Sequence, residues 1–90
     1  MKLSKEKIKK ISEQILSYLY NSFPKTPYTY DVAKELARDE EFIKKILLDL
    51  KDKRFIIAIK KNTKGINFIR RTKWQLAPQV YSAYSEKINN

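Results

Sequence analysis

Apolar residues recur at helical spacing from the start of the chain. Ile8, Ile11, Ile15 and Leu19 follow one another at steps of three, four and four, and Leu16, Tyr20 and Phe23 form a second row beside them. The two rows make a wide apolar stripe on a helix of about five turns, spanning 4–22. Ser4 is a serviceable start ahead of Lys5, Glu6 and Lys7, and Pro24, helped by Pro27, stops the helix. The stripe is broader than one core contact needs, so part of it is free for a second subunit while most of it packs inward.

Thr29 reads as the N-cap of a second, short helix, with Asp31 in the first turn where a carboxylate suits the helix dipole. Val32, Ala33 and Leu36 are its apolar face. Asp39 offers another N-cap, Glu40 and Glu41 fill the next first turn, and Ile43, Ile46, Leu47, Leu50 and Arg54 carry a 3.6-residue period through a third helix. The pattern then changes. Phe55 to Ile59 is a nearly continuous β-branched and aromatic run, Asn62-Thr63-Lys64-Gly65 is a turn around the single glycine, and Ile66 to Leu76 is a second strand. Phe68, Thr72, Trp74 and Leu76 share one face of that strand; Asn67, Ile69, Arg71, Lys73 and Gln75 share the other. The two strands make a hairpin over 55–76. Pro78 opens a last helix, 78–88, with Val80, Tyr81, Tyr84 and Ile88 at helical spacing. No repeat, linker or low-complexity stretch interrupts this order.

Ninety residues fit one domain, 1–90, and leave little room for a deep internal cavity. With 42% hydrophobic residues the chain can pack a core despite its 33% charged residues. Cysteine and histidine are both absent, which removes disulfides, thiolate nucleophiles, a zinc ribbon and the usual neutral-pH general base. One glycine cannot build a phosphate-cradling loop. The expectation is a non-enzyme without metal or cofactor. No apolar run approaches the ~18 residues of a membrane helix, and no apolar segment follows the basic start, so neither a span nor a signal peptide is expected.

Charge changes the picture most. The chain carries twenty basic and ten acidic residues, a formal net charge of +10. Residues 31–54 balance seven of each sign, whereas 1–30 carry six lysines against two glutamates and 55–90 carry seven cations against Glu86 alone. Between Asp52 and Glu86 there is no acid, and Lys53, Arg54, Lys60, Lys61, Lys64, Arg70, Arg71 and Lys73 crowd into that interval. One-signed clustering of this kind is the footprint of a polyanion binder. A lysine-rich composition, sixteen lysines to four arginines, explains the abundance of lysine but not the missing acids.

Helix, short helix, turn, helix, basic hairpin, closing helix: this order resembles the winged helix-turn-helix superfamily. The segment DVAKELARDEEFIKKILLDLKDKRFI carries the likeness through Ala33, Leu36, Asp39, Ile43, Leu47, Leu50 and Phe55-Ile56, and RRTKWQLAPQVYSAY resembles the basic strand and following helix of small archaeal, viral and bacterial regulators. The resemblance implies an α+β, mostly helical fold: a three-helix core with its helix-turn-helix over 29–54, a basic β-hairpin wing and a C-terminal helix. Ala37 and Arg54 stand where the family usually has glycine, and Arg38 where it usually has an apolar turn residue.

The same resemblance makes the third helix a recognition helix with Glu40, Glu41, Lys44, Lys45 and Leu48 facing outward, and implies binding to double-stranded DNA. Lys44 and Lys45 would then reach phosphates or guanine edges, and Lys60, Lys61, Lys64, Arg70, Arg71 and Lys73 would hold the backbone or minor groove from the wing. The acids at 40 and 41 suit the helix dipole and pair at i,i+4 as Glu40–Lys44 and Glu41–Lys45. Lys2, Lys5, Lys7, Lys9 and Lys10 add charge from the first helix. Tyr28, Tyr30, Tyr81 and Tyr84 read as half-buried core in preference to stacking platforms. Val80, Tyr81, Tyr84 and Ile88 exceed what one small core needs and imply a homodimer, with packing on the first helix of the same chain as the competing account. The function implied is transcriptional regulation from the cytoplasm: on the nucleoid, or in a host's cytoplasm for a virus. Two alternatives stand beside it, a winged-helix module that docks an acidic protein and an RNA binder working through the hairpin.

Overall fold

The computed structural model describes residues 4–59 and 72–89, with side chains through Lys87. Its elements run α1 (Lys5–Ser22), α2 (Thr29–Leu36), α3 (Glu40–Asp52), β1 (Ile56–Ile59), β2 (Lys73–Leu76) and α4 (Pro78–Asn89). Among the described residues no helix is long and apolar enough to cross a membrane.

The first three helices begin where a side chain satisfies an orphan amide. Ser4 Oγ accepts from the Lys7 N–H at 3.2 Å and Asp39 Oδ2 from the Phe42 N–H at 3.0 Å. The start of α2 differs from the sequence expectation. Thr29 is not its cap but its first helical residue; Tyr28 precedes the helix, and its N–H donates to Asp31 Oδ2 at 3.0 Å. The hydroxyl of Thr29 is engaged elsewhere, accepting from the indole Nε1 of Trp74 at 2.8 Å.

Ile11, Ile15 and Leu19 of α1, Val32 and Ala33 of α2, and Ile43, Ile46, Leu47 and Leu50 of α3 close one core with Ile56, Trp74 and Leu76 of the hairpin. The stripe on α1 is shorter inside than along the sequence. Residues 4–10 are all exposed and Ile8 keeps 37% of its surface, because the first turns of α1 extend beyond the elements that cover Ile11. Leu48, expected to face outward, packs half-buried against the core.

β1 and β2 pair antiparallel, with Ile56 opposite Leu76 and Ala58 opposite Trp74 on the inner face. On the other edge of β2, Tyr28 bridges Lys73 and the Trp74 N–H donates to the Pro27 carbonyl at 2.9 Å. The segment between α1 and α2 is thereby stitched to the root of the hairpin. The turn expected at 62–65 and the strand expected from 66 to 71 lie outside the described residues. Ala77 anchors the start of α4, its N–H donating to the Phe55 carbonyl at 2.9 Å.

Two helices end alike. Ala37 (φ 53°) and Arg54 (φ 66°) are left-handed. Behind them the N–H of Arg38 donates to Ala33 and that of Phe55 to Leu50, each at 3.0 Å, the long bonds of Schellman endings. These are the two positions at which the resemblance to winged helix-turn-helix sequences implies glycine, and the left-handed backbone is what glycine accommodates. A side chain at the left-handed position costs ~1–2 kcal/mol, partly offset by the looser unfolded chain of a glycine variant. Ala37→Gly is therefore expected to stabilise the domain by ~0.5–1 kcal/mol, read as a higher urea midpoint at unchanged slope. A midpoint that stays put or falls would contradict this account.

Candidate nucleic-acid interface

Two ion pairs form along α3. Lys44 Nζ lies 2.8 Å from Glu41 Oε2 and Lys53 Nζ lies 3.0 Å from Asp49 Oδ2. The expected Glu41–Lys45 pair does not form. Lys44 turns back one helical turn to Glu41, at i,i+3, which leaves Lys45 exposed. With Glu40 and Glu41 in its first turn, α3 presents a surface of mixed sign. An ammonium 2.8 Å from a carboxylate has that charge beside it when a phosphate approaches, and offers the phosphate only its remaining N–H donors.

The wing differs at the level of the sequence, since its cations face no acid in the same interval. Lys60, Lys61, Lys64, Arg70 and Arg71 lie outside the described residues. Lys73, the last cation of the cluster, is placed: it stands in β2 opposite Ile59, half-buried, with Nζ 5.5 Å from the centroid of the Tyr28 ring. Lys5, Lys7, Lys9 and Lys10 are all exposed on the first turns of α1.

Residues of the expected dimer face pack within the chain. Val80 and Tyr81 lie against the core. The Tyr20 ring sits 5.0 Å from Tyr81 and 5.5 Å from Tyr84, Phe23 sits 4.6 Å from Tyr81, and Tyr20 Oη is 3.3 Å from Ser85 Oγ. α4 thus docks on α1 through an aromatic cluster. Burial, with the charge of Glu13 added, raises the pKa of the Tyr84 phenol and keeps it protonated. The side chain of Ile88 lies outside the described residues.

The tyrosines divide. Tyr81 and Tyr84 are half-buried as expected, but Tyr28 and Tyr30 are 40% and 52% exposed, and each has a lysine near its ring: Lys73 at 5.5 Å and Lys34 at 6.0 Å. Two consecutive breaks in a helical pattern, Pro24 and Pro27, were the available hint that the rings following them sit on a surface segment.

No family model matches the sequence, and no curated protein matches it. Solved structures do. The chain is similar to MepR of Staphylococcus aureus in its complex with DNA: TM-score 0.69 and 20% identity over 93% of this chain and 68% of that one. MepR is a transcription regulator of the multidrug efflux pump MepA. Similar too is ZitR of Lactococcus lactis, a mutant in apo form, at TM-score 0.68 and 18% identity over 93% of this chain and 58% of that one. The chain spans little more than half of that structure, and 53% of a mutant MepR. The apo-Zalpha domain of zebrafish PKZ is nearer in size, with 79% of this chain matching 97% of that one at TM-score 0.64 and 20% identity. Four helices and an antiparallel pair of strands, superposed to this degree, make the fold a winged helix-turn-helix.

Proposed function

We propose that the chain binds double-stranded DNA and regulates transcription, with most of its affinity supplied by the wing. The observation that carries the reading is the set of six hairpin cations, Lys60, Lys61, Lys64, Arg70, Arg71 and Lys73, with no acid between Asp52 and Glu86, in a fold that MepR uses in a complex with DNA. α3 lies on DNA in a supporting role, Lys44 and Lys45 touching phosphates or bases. Lys60, Lys61, Lys64, Arg70, Arg71 and Lys73 neutralise the backbone. Two copies related by a two-fold axis through the part-exposed side of α4, beside Val80, Tyr81, Tyr84 and Ile88 and in addition to the packing of Tyr81 and Tyr84 on α1, set their α3 helices ~34–36 Å apart on a palindromic site.

Alanine at Lys60, Lys61 and Lys64 together is expected to weaken binding to a labelled duplex about tenfold or more, against about threefold for alanine at Lys44 and Lys45. Saturation of the same duplex counts the copies bound. Equal affinities in the wing variant and the parent reject the wing's leading role. The second reading, a module that docks an acidic protein, is favoured by the self-paired charges of α3, and duplex binding that is absent at low salt would select it.

A further inference from the structure

The segment joining α1 to α2 borders an open groove of about 750 Å³, within the ~300–1,000 Å³ of small-ligand sites. Its described walls come from the end of α1, the connecting segment, the start of α2 and the root of β2; α3 and α4 supply none of them. Phe23 and Tyr28, 43% and 40% exposed, are large rings that the fold leaves in water. Pro24 and Pro27 stiffen the chain between them, and Pro27 and Tyr28 are bonded to β2. Lys25 and Lys73 reach the same groove, against the single carboxylate of Asp31, which already accepts the Tyr28 N–H. Asn21 adds an exposed amide that can both donate and accept.

Rigid exposed rings beside ammonium groups, with an amide at the rim, match one ligand chemistry in particular. A nucleobase offers a flat face to an aromatic ring and its phosphate an anion to a lysine, and neither needs a base-paired partner. We propose that this groove binds an unstacked nucleotide, the base against Tyr28 beside Phe23 and the phosphate on Lys25 and Lys73. The site is distinct from the surface assigned to duplex DNA and shares only Lys73 with it. It gives a duplex-binding fold a separate hold on a single strand, or on a free nucleotide.

Two titrations test this on the whole chain: fluorescence anisotropy with a labelled thymidine octanucleotide, and amide NMR shifts with the octanucleotide and with thymidine 5′-monophosphate. Tyr28→Leu and Lys25→Glu are each expected to weaken the octanucleotide about 5- to 100-fold, and Tyr28→Phe to stay within about twofold of the parent. Lys25 is exposed, so its reversal leaves the fold intact even where a change at Tyr28 perturbs the bridge to β2. Tyr28→Leu is expected to weaken the octanucleotide clearly more than the duplex, which the Tyr28 ring meets only through Lys73, and this difference separates the two sites. Shifts centred on Phe23, Lys25, Tyr28 and Lys73 with both ligands identify a nucleotide site; shifts there with the octanucleotide alone identify a single-strand site. Shifts confined to other regions, or undiminished octanucleotide binding by both Tyr28→Leu and Lys25→Glu, overturn the proposal whatever the duplex does.

Discussion

A random-sequence duplex titrated with the chain is expected to lose roughly 10³-fold in affinity when salt rises from ~50 to ~200 mM. Six cations of the wing, Lys60, Lys61, Lys64, Arg70, Arg71 and Lys73, are available to displace counterions from phosphates. At about −0.9 per phosphate, six contacts give a log–log slope near −5, and a fourfold rise in salt then costs about three decades. α3 adds little to that slope. Lys44 has Glu41 2.8 Å away, a charge that offsets its own toward a phosphate, and the acids of its first turn meet the backbone with like charge. The exposed lysines of α1 steepen the dependence only if the DNA reaches them. A slope near −5 that falls by about one for each wing lysine removed supports the wing as the source of affinity. A slope shallower than about −2 removes it from that role, and no binding at ~50 mM salt defeats the DNA reading itself.

Charge clustering is a property of the sequence that needs no packing to be read, and of the six wing cations Lys73 alone lies among the described residues. The element order was legible for a similar reason: the caps at Ser4 and Asp39 and the apolar period of α3 are local signals that tertiary structure did not oppose. Where tertiary structure competed, the local reading failed. Thr29 has the chemistry of a cap, but an indole 45 residues away claimed its hydroxyl, and Asp31 satisfied the helix start instead. Ile8 belongs to the apolar period of α1 yet stands exposed, since periodicity reports a face and not how far the covering elements extend. The expected Glu41–Lys45 pair gave way to Glu41–Lys44 at i,i+3, a rotamer choice that spacing alone does not decide. The groove at Phe23 and Tyr28 was out of reach altogether. It depends on Lys73 being brought beside Tyr28, a juxtaposition that only the bridge between the α1–α2 segment and β2 creates.

Trp74→Ala is expected to cost ~3–5 kcal/mol, a large share of the ~5–15 kcal/mol that holds a small domain together. Trp74 has no exposed surface, lies between Ala58 across the hairpin and the α1–α2 segment, and is the chain's single tryptophan. Size is only part of its role. Its indole N–H is buried and donates to Thr29 Oγ1, so Thr29→Val keeps the volume but strands the donor, at a cost of ~1–3 kcal/mol. Trp74→Phe removes the donor and leaves a smaller cavity than alanine does. The two changes are therefore expected to be less than additive: Thr29→Val costs clearly less in the Trp74→Phe background, where no indole is left unpaired. Urea unfolding followed by circular dichroism measures all four corners of the cycle, since the phenylalanine variants have no tryptophan emission to follow. Strict additivity would mean that the Thr29–Trp74 hydrogen bond contributes nothing beyond shape. The position also bears on function, because Trp74 fixes the root of β2, and Lys73 beside it starts the run of wing cations on that arm. A variant that loosens Trp74 while the helices stay folded is then expected to lose duplex affinity without the removal of a single charge.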